Sequence, residues 1–177
     1  MTAPTRLSHI VHRTNELKVM CDWYCAVLEA HVVFANDRIA FLTYDDEHHR
    51  IAFAATAEFA PRPTVPTVGF YHVAFTYETL GDLLDTYERL LAAGIRPWRT
   101  INHGPTMSFY YADPDGNDVE LQVDRFKDPL DAQTWMHGTA FANNPIGIEV
   151  RPEDLRRRLE DGEPFDSIMV REDELAL

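Results

Sequence analysis

The chain has 177 residues, enough for one domain and a smaller appendage, since domains usually span about 100–200 residues. Apolar residues make up 45% and charged residues 25%, which is typical of a globular protein with a hydrophobic core. The formal net charge of −13 argues against nucleic acid and anionic membranes as partners, because binding to phosphates relies on Lys and Arg.

Many of the acidic residues lie near the C-terminus, where we expect a solvated segment rather than a binding face; they are Glu160, Asp161, Glu163, Asp166, Glu172, Asp173 and Glu174. No apolar stretch is long enough to cross a bilayer, and the first residues lack the apolar core of a signal peptide. Cys21 and Cys25 lie four residues apart on a predicted helix, which suits two small buried thiols better than a disulfide. These features predict a reduced, cytoplasmic protein.

The first half of the chain predicts one strand, one helix and three further strands. "LSHIVHRT" (7–14) is strand-like, and residues 15–30 carry apolar side chains at helical spacing. Three short strand candidates follow, namely "HVVFA", "IAFLTY" and "RIAFAA".

The same order of elements recurs after a Pro-rich linker. "FYHVAFTY" (70–77) predicts a strand and residues 80–94 a helix, and three more strand candidates follow, namely "IRPWRTI", "TMSFYYA" and "DVELQV". His9 corresponds to His72 and Tyr24 to Tyr87 at the same offset, which indicates an internal repeat.

We therefore predict an α+β fold in which two tandem βαβββ modules form a cleft-shaped sheet. The predicted domain covers residues 1–125, with the first module at about 5–58, the linker at about 59–67 and the second module at about 68–125. Residues 126–177 form a C-terminal extension of helices and loops.

In the extension, Asp128-Pro129 and Pro152 mark two helix starts, and "FANNPIGIEV" (141–150) looks like a loop. We expect this extension to wrap the core or to join an oligomer contact, and we expect a homo-oligomer.

Candidate metal ligands lie on the predicted strands. Each module has a histidine, His9 or His72, in the centre of its first strand, and the last strand of the second module carries Glu120 after the turn "DPDGN" (113–117). One histidine on a strand is more often structural, but matched positions in a repeat favour a site with two histidines and one carboxylate, the triad that holds Fe(II). His12 is the alternative first ligand; a strand would point it to the face opposite His9, which favours a packing role.

The chain resembles the vicinal oxygen chelate superfamily and, within it, the type I extradiol catechol dioxygenases. The resemblance covers about residues 5 to 125 and is carried by "LSHIVHRT", "WYCAVLEA", "HHRIAFAA", "FYHVAF" and "NHGPTMSFYYADPDGNDVEL". It implies a one-domain form whose metal ligands are His9, His72 and Glu120. It also implies Fe(II), with Mn(II) as an alternative, and a small aromatic diol and O₂ as substrates.

Other members of this superfamily share the metal framework. The glyoxalase I relatives take a fourth ligand, usually a Glu, from the last strand of the first module, where this chain has Ala52 and no acidic residue. That difference leaves room for a chelating diol and O₂. Fosfomycin-modifying enzymes and epimerases also lack the full glyoxalase set, so they remain alternatives.

The resemblance further assigns three catalytic candidates. His49 matches the family's acid–base histidine, and His103 and Tyr110 match the residues that hydrogen-bond the metal-bound substrate oxygens. A neutral imidazole near its working pKa suits proton transfer. Each also has a structural reading: His49 in an exposed loop, His103 in a plain turn and Tyr110 as an ordinary strand residue. The interval from His103 to Tyr110 is shorter than in the two-domain enzymes.

The sequence thus predicts an Fe(II)-dependent extradiol dioxygenase whose cleft is lined by Phe109 and Phe141. The alternatives are a metal-dependent isomerase or epimerase, an antibiotic-modifying enzyme, and an antibiotic-sequestering protein of the same fold. Sequestering relatives generally lack the metal residues, so the intact His9, His72 and Glu120 count against that last alternative.

Overall fold

The computed structural model describes residues 2–60, 62–63, 65 and 67–175. Its internal contacts divide the chain into two units, each described by itself below. The first unit comprises the chain up to Phe70 together with Asp113–Asn117, and the second comprises Tyr71–Ala112 and the chain from Asp118 onward.

The first unit contains one four-stranded sheet and one helix. In chain order its elements are β1 (Ile10–Thr14), α1 (Leu17–Leu28), β2 (His31–Ala35), β3 (Ile39–Thr43) and β4 (Ile51–Ala55). The strand order is β1-β4-β3-β2, in which β1 and β4 are parallel and the other neighbours antiparallel. The predicted βαβββ order of the first module is confirmed.

The core of the first unit lies between α1 and its sheet. Met20, Tyr24 and Val27 on α1 are fully buried, as are Leu42 on β3 and, almost completely, Phe53 on β4. The Tyr24 ring meets the Phe53 ring edge-on, with 5.3 Å between centroids. This apolar face fixes the helix on the sheet, because burial of each large apolar side chain stabilises the fold by about 1.5–3 kcal/mol.

The turn "DPDGN" is organised by the buried carboxylate of Asp113. One carboxylate oxygen accepts hydrogen bonds from the backbone N–H groups of Asp115 and Asn117, at 3.0 and 2.8 Å. The other accepts from the Asn117 side-chain amide at 2.8 Å and from the Tyr24 hydroxyl at 3.2 Å. Gly116 supplies the positive φ of 78° that the turn requires.

The second unit repeats the βαβββ order. Its elements are β5 (His72–Tyr77), α2 (Leu80–Ala92), β6 (Arg99–Asn102), β7 (Thr106–Ala112) and β8 (Asp118–Asp124). They form a sheet in the order β5-β8-β7-β6, again with the first pair parallel. The predicted α+β class with two tandem modules is therefore confirmed.

The two modules also share a tyrosine that is buried on the helix. Tyr87 on α2 corresponds to Tyr24 on α1, and its hydroxyl donates a 2.6 Å hydrogen bond to Glu153. A buried phenol hydroxyl needs a hydrogen-bond partner, and for both tyrosines that partner is a carboxylate.

The extension belongs, by its contacts, to the second unit. Its elements are α3 (Pro129–Met136), α4 (Thr139–Asn143), β9 (Ile148–Glu149), α5 (Pro152–Glu160) and α6 (Phe165–Met169), followed by one 3₁₀ turn at Glu172–Glu174. Both predicted helix starts are confirmed, with Pro in the first turn each time.

The interpretation of 141–150 as a loop was wrong in part. This stretch contains the end of α4 and the short strand β9, which pairs with Ile101 and Asn102 of β6. Gly147 has a φ of 101°, and its Cα lies so close to the Asn102 carbonyl that no side chain fits there. The glycine thus brings the extension directly onto the sheet edge.

The expectation of a solvated acidic tail was also wrong for several residues. Glu163 forms a two-point ion pair with Arg158 at 2.6 and 2.7 Å. Glu174 accepts from Arg125 at 2.9 Å, and both of these side chains are largely buried. Acidic side chains therefore hold the extension together at Glu163 and join it to Arg125, just after β8, at Glu174.

Both cysteines are free thiols, with Cys21 buried and Cys25 partly buried, as the spacing predicted. Among the described residues, no helix has the length and apolarity needed to cross a membrane. The predicted domain boundary at residue 125 stays a prediction.

His12 is partly buried in the first unit, where it contacts aromatic rings as the predicted packing role requires. Its ring centroid lies 5.5 Å from that of Tyr24 and 5.8 Å from that of Phe53. Burial lowers the pKa of His12, and the charges of Asp113 and Asp115 offset this in part.

From this burial we predict a pH dependence of stability. The native chain binds a proton at His12 more weakly than the unfolded chain does, so the free energy of unfolding falls as the pH drops through the unfolded pKa of about 6.5. Between about pH 7 and pH 5, urea unfolding of wild type should therefore show a larger loss of stability than His12→Gln. His31→Gln, at an exposed histidine, is the matched control and should behave as wild type. Equal losses in wild type and His12→Gln would contradict the prediction.

Candidate active site

Glu120 is a buried carboxylate in the middle of β8. Only 5% of the residue is exposed, and in the sheet it lies between Ala74 of β5 and Tyr110 of β7. One oxygen, Oε2, lies 3.0 Å from His72 Nε2, and the other, Oε1, accepts a 2.9 Å hydrogen bond from the Tyr110 hydroxyl. Both oxygens are thus partnered, as a buried carboxylate requires.

Tyr110 connects Glu120 to His103. Directly opposed residues on antiparallel strands point to the same face, so the register places Tyr110 beside Glu120. His103 follows β6 at the hairpin turn, and its Nε2 lies 2.9 Å from the Tyr110 hydroxyl. Burial, the Glu120 charge and the hydrogen bond to it raise the pKa of Tyr110, so the group is a phenol at neutral pH.

The imidazole of His103 is held at both nitrogens. Its Nδ1 lies within hydrogen-bonding distance of the Ile146 carbonyl oxygen, which can only accept, so Nδ1 carries a hydrogen. Burial lowers the pKa of His103, although the bond to Ile146 and the charge of Glu120 act the other way. His103 is therefore an oriented side chain and not part of a plain solvated turn.

Aromatic rings surround His72 and Tyr110. The ring centroids of Tyr71 and His72 are 5.1 Å apart, and those of Trp98 and Tyr110 are 5.8 Å apart. Tyr71 and Trp98 are both substantially exposed. The sequence analysis did not identify these two rings, although an aromatic residue directly before His72 was a usable signal.

His72 and Glu120 fit neighbouring positions of a metal site. In an octahedral site with bonds of about 2.1 Å, two adjacent donor atoms are about 3.0 Å apart. His72 Nε2 and Glu120 Oε2 have that separation, and imidazole with carboxylate is a suitable donor set for Fe(II). Within the parts of the chain that the structure describes, no group of three or more His, Cys, Asp or Glu side chains is arranged to hold a metal ion. The structure thus brings together two of the three predicted ligands.

The third predicted ligand, His9, lies in the first unit next to His49. It is exposed, and its ring centroid lies 4.4 Å from that of His49. His49 stacks on Phe41 at 4.7 Å, and its Nδ1 lies 2.6 Å from that of His48. Desolvation, followed by the charges of His9 and His48, lowers the pKa of His49, which favours a neutral imidazole.

The predicted placement of the two histidines at strand centres was wrong. The ladder of β1 begins at Ile10, and His72 is the first residue of β5. In the first unit, the Arg50 guanidinium binds the carbonyl oxygens of Leu7 and Ser8, so these groups do not join a strand ladder. Both histidines therefore lie where a strand begins.

Two further expectations concern neighbouring positions. Ala52 on β4 is buried, and no residue of β4 is acidic, as expected.

The prediction that Phe109 lines the cleft was wrong. Phe109 is fully buried and packs against Tyr87 of α2, with 5.8 Å between ring centroids. Side chains alternate along a strand, so Phe109 faces the helix while Tyr110 faces Glu120. Phe141 lies against Trp135 in the extension.

The sequence analysis also missed Arg171, because nothing in the pattern separates one arginine in an acidic tail from a surface residue. The side chain is fully buried, and its guanidinium donates a 3.0 Å hydrogen bond to the His103 carbonyl oxygen.

Comparisons with known proteins identify the family of the chain. Residues 6–121 match the model of the Glyoxalase/Bleomycin resistance protein/Dioxygenase superfamily. The chain is 46% identical to biphenyl-2,3-diol 1,2-dioxygenase 2 from Rhodococcus globerulus, covering 95% of this chain and 88% of the relative. It is 45% identical to biphenyl-2,3-diol 1,2-dioxygenase 3 from the same organism, covering 97% and 90%.

Among solved structures, a lactoylglutathione lyase from Agrobacterium tumefaciens superposes with a TM-score of 0.55 at 17% identity, covering 69% of this chain and 96% of the other. That identity is low, so this likeness bears on the fold alone. The family match covers most of the chain, and the two dioxygenases are similar over nearly all of it. The chain belongs to the Glyoxalase/Bleomycin resistance protein/Dioxygenase superfamily.

Proposed function

We propose that the protein is an extradiol dioxygenase, which opens the ring of a small aromatic diol beside its two adjacent hydroxyl groups and incorporates both atoms of O₂. The observation that carries the proposal is the similarity, at 45–46% identity over nearly the whole chain, to two biphenyl-2,3-diol 1,2-dioxygenases. This similarity extends beyond the family match at residues 6–121 and so includes the extension.

The names of these relatives suggest a two-ring diol, and biphenyl-2,3-diol is the first substrate to test. The aromatic side chains next to His72 and Tyr110 support an aromatic ligand, since Tyr71 and Trp98 offer exposed ring surface. A second, unsubstituted ring would find apolar contact there.

The proposed cofactor is Fe(II), held by His9, His72 and Glu120, with Mn(II) as the alternative. Extradiol dioxygenases of this superfamily are metal-dependent and typically use iron. When bound, the metal supplies a Lewis acid for the diol and a path for electrons from the diol to O₂. The separation of His72 Nε2 and Glu120 Oε2 supports two of these ligands, and the absence of an acidic residue on β4 supports a three-residue set.

The proposed roles of Tyr110 and His103 follow from their hydrogen bonds. The Tyr110 hydroxyl lies 2.9 Å from both Glu120 Oε1 and His103 Nε2, and its single hydrogen can turn from the carboxylate to a diol oxygen that lies beside it. The Nδ1 hydrogen of His103 stays bonded to the Ile146 carbonyl oxygen. Nε2 is therefore the nitrogen that can accept a proton from the diol oxygen or return one to it.

His49 is the proposed acid–base residue. A ring cleavage must remove a proton from a diol hydroxyl and deliver one to an oxygen atom derived from O₂, and a neutral imidazole serves both steps. The lowered pKa of His49 keeps it neutral. Its Nδ1 faces His48, so Nε2 is the atom assigned to the proton transfer.

An isomerase or an antibiotic-modifying enzyme of the same superfamily is the alternative that the tests below must separate. Such enzymes need no O₂, whereas ring cleavage consumes it. A cytoplasmic location and a homo-oligomeric state stay predictions, as does the absence of nucleic-acid and membrane partners.

The reaction is tested by oxygen uptake. The protein is loaded with Fe(II) without air and mixed with aerated catechol, biphenyl-2,3-diol or a substituted catechol. We expect one O₂ consumed per diol and a yellow, conjugated ring-opened product, because extradiol cleavage leaves a dienol conjugated with a carbonyl group. No uptake with any diol, while ferrous iron is shown to be bound, would favour the isomerase.

The ligand assignment predicts the effect of single substitutions on metal content. His9→Ala, His72→Ala and Glu120→Ala should each lose most of the iron, because each removes one of three donor groups. His12→Gln is the matched control and should keep one iron per chain. Metal analysis is paired with circular dichroism to show that each variant is folded. A His72→Ala protein with full iron content would overturn the assignment.

For His49, His49→Gln should lower turnover by ~10²–10⁴-fold while iron content and anaerobic diol binding are retained, because only proton transfer is removed. His31→Gln, at an exposed histidine of the same unit, should leave all three quantities unchanged. Loss of iron in His49→Gln would indicate a ligand, and an unchanged rate would indicate an ordinary loop residue.

A further inference from the structure

The buried guanidinium of Arg171 contacts the backbone of His103 and of the loop that follows α4. Its Nη1 donates to the carbonyl oxygens of His103 and Asn144, at 3.0 and 2.9 Å. Its Nε and Nη2 donate to the two oxygens of Asp173, at 2.8 and 2.7 Å. Arg171 is 0% exposed, so burying its charge is tolerable only with this complete set of partners.

The two backbone carbonyl acceptors lie on two segments that meet at His103. One is the hairpin turn that carries His103, and the other is the loop from Asn144 to Gly147, whose Ile146 carbonyl faces His103 Nδ1. The Asn144 side chain accepts from the Gly147 N–H at 2.9 Å and donates to the Asp173 carboxylate at 2.9 Å. The Arg171–Asp173 pair therefore holds Asn144 at one end of the loop that presents the Ile146 carbonyl, and the Asn144 side chain links that end to Gly147 at the other.

The hairpin turn is also held by groups other than Arg171. The Asn102 side chain donates to the Met169 carbonyl at 2.9 Å and accepts from the Gly104 N–H at 2.8 Å. Gly104 packs under the Trp135 ring, where no side chain would fit. Loss of Arg171 contacts would therefore release the orientation of the imidazole without removing every support of the turn.

We propose that Arg171 is a positioning residue that acts through His103: it holds the His103 carbonyl directly, and the loop with the Ile146 carbonyl through Asn144, so that Nδ1 stays bonded and Nε2 stays directed at Tyr110. The inference deepens the proposed function, on which it rests for the role of His103 at the substrate. The rival explanation is that Arg171 only fastens the extension to the second unit.

Two variants test the positioning role while changing the side-chain volume at Arg171 or Asp173 only slightly. Arg171→Lys keeps the charge but cannot reach all of the acceptors from one planar group, and Asp173→Asn weakens the hold on the guanidinium. Arg156→Met is the matched control, because Arg156 fastens the extension to α2 through ion pairs with Glu88 and Asp85, and these contacts involve neither His103 nor the loop at 144–147.

The first readout is steady-state kinetics with biphenyl-2,3-diol and iron-loaded protein. Arg171→Lys should lower kcat/KM by about 10- to 100-fold with iron content unchanged, the size expected when a catalytic group is misplaced by about 1 Å. His103→Gln combined with Arg171→Lys should be no slower than His103→Gln alone, because Arg171 acts through that side chain. The proposal would be overturned if the two fold-losses in kcat/KM multiplied in the double variant, or if Arg171→Lys left kcat/KM unchanged.

The second readout does not depend on activity. In the metal-free full chain labelled with ¹⁵N-histidine, the Nδ1–H signal that disappears in His103→Gln should be present in wild type and in Arg156→Met. It should be shifted or lost in Arg171→Lys and Asp173→Asn. An unchanged signal in both variants, or unfolding of both, would overturn the positioning role. If wild type takes up no O₂, the proposed function fails, while this signal still decides whether Arg171 orients His103.

Discussion

The buried charge of Glu120 is the constraint on which the arrangement of the second unit depends. A carboxylate removed from water needs partners at both oxygens, and here they come from the two strands beside it, through His72 on β5 and Tyr110 on β7. A one-residue shift in either register would turn these partners to the opposite face and leave the carboxylate among apolar groups. The charge therefore helps to specify which residues of β5, β7 and β8 lie opposite each other.

The internal repeat includes the buried tyrosine of each helix but not the carboxylate to which that tyrosine donates. Tyr24 and Tyr87 occupy equivalent buried positions, and each hydroxyl donates to a carboxylate, Asp113 in one case and Glu153 in the other. Asp113 belongs to a turn and Glu153 to α5 of the extension. Each module thus uses a segment outside its own βαβββ elements to provide the hydrogen-bond acceptor for its buried tyrosine.

How far the sequence predicted the site depends on the range of the interactions involved. Glu120 was predictable as a strand carboxylate, because alternation on a strand is a local pattern, whereas Tyr110 was identified through the resemblance to the extradiol dioxygenases. The face on which Phe109 lies was not predictable. Strand β7 is buried on both faces, so its residues show no alternation of apolar and polar side chains that would separate the two faces. The Ile146 carbonyl and the Arg171 guanidinium were beyond prediction, because a backbone acceptor has no residue signature and its partner lies far along the chain.

His103 shows how the extension contributes to the candidate site. A histidine at a hairpin turn is ordinarily solvated and free to rotate, since loops run over the surface. Here β9 pairs with β6 immediately before that turn, and the chain around Gly147 approaches Asn102 too closely for any side chain. The extension thereby replaces water at Nδ1 with a fixed carbonyl oxygen. Because an imidazole with one nitrogen committed has only the other for proton transfer, the fold of the extension determines which atom of His103 faces Tyr110.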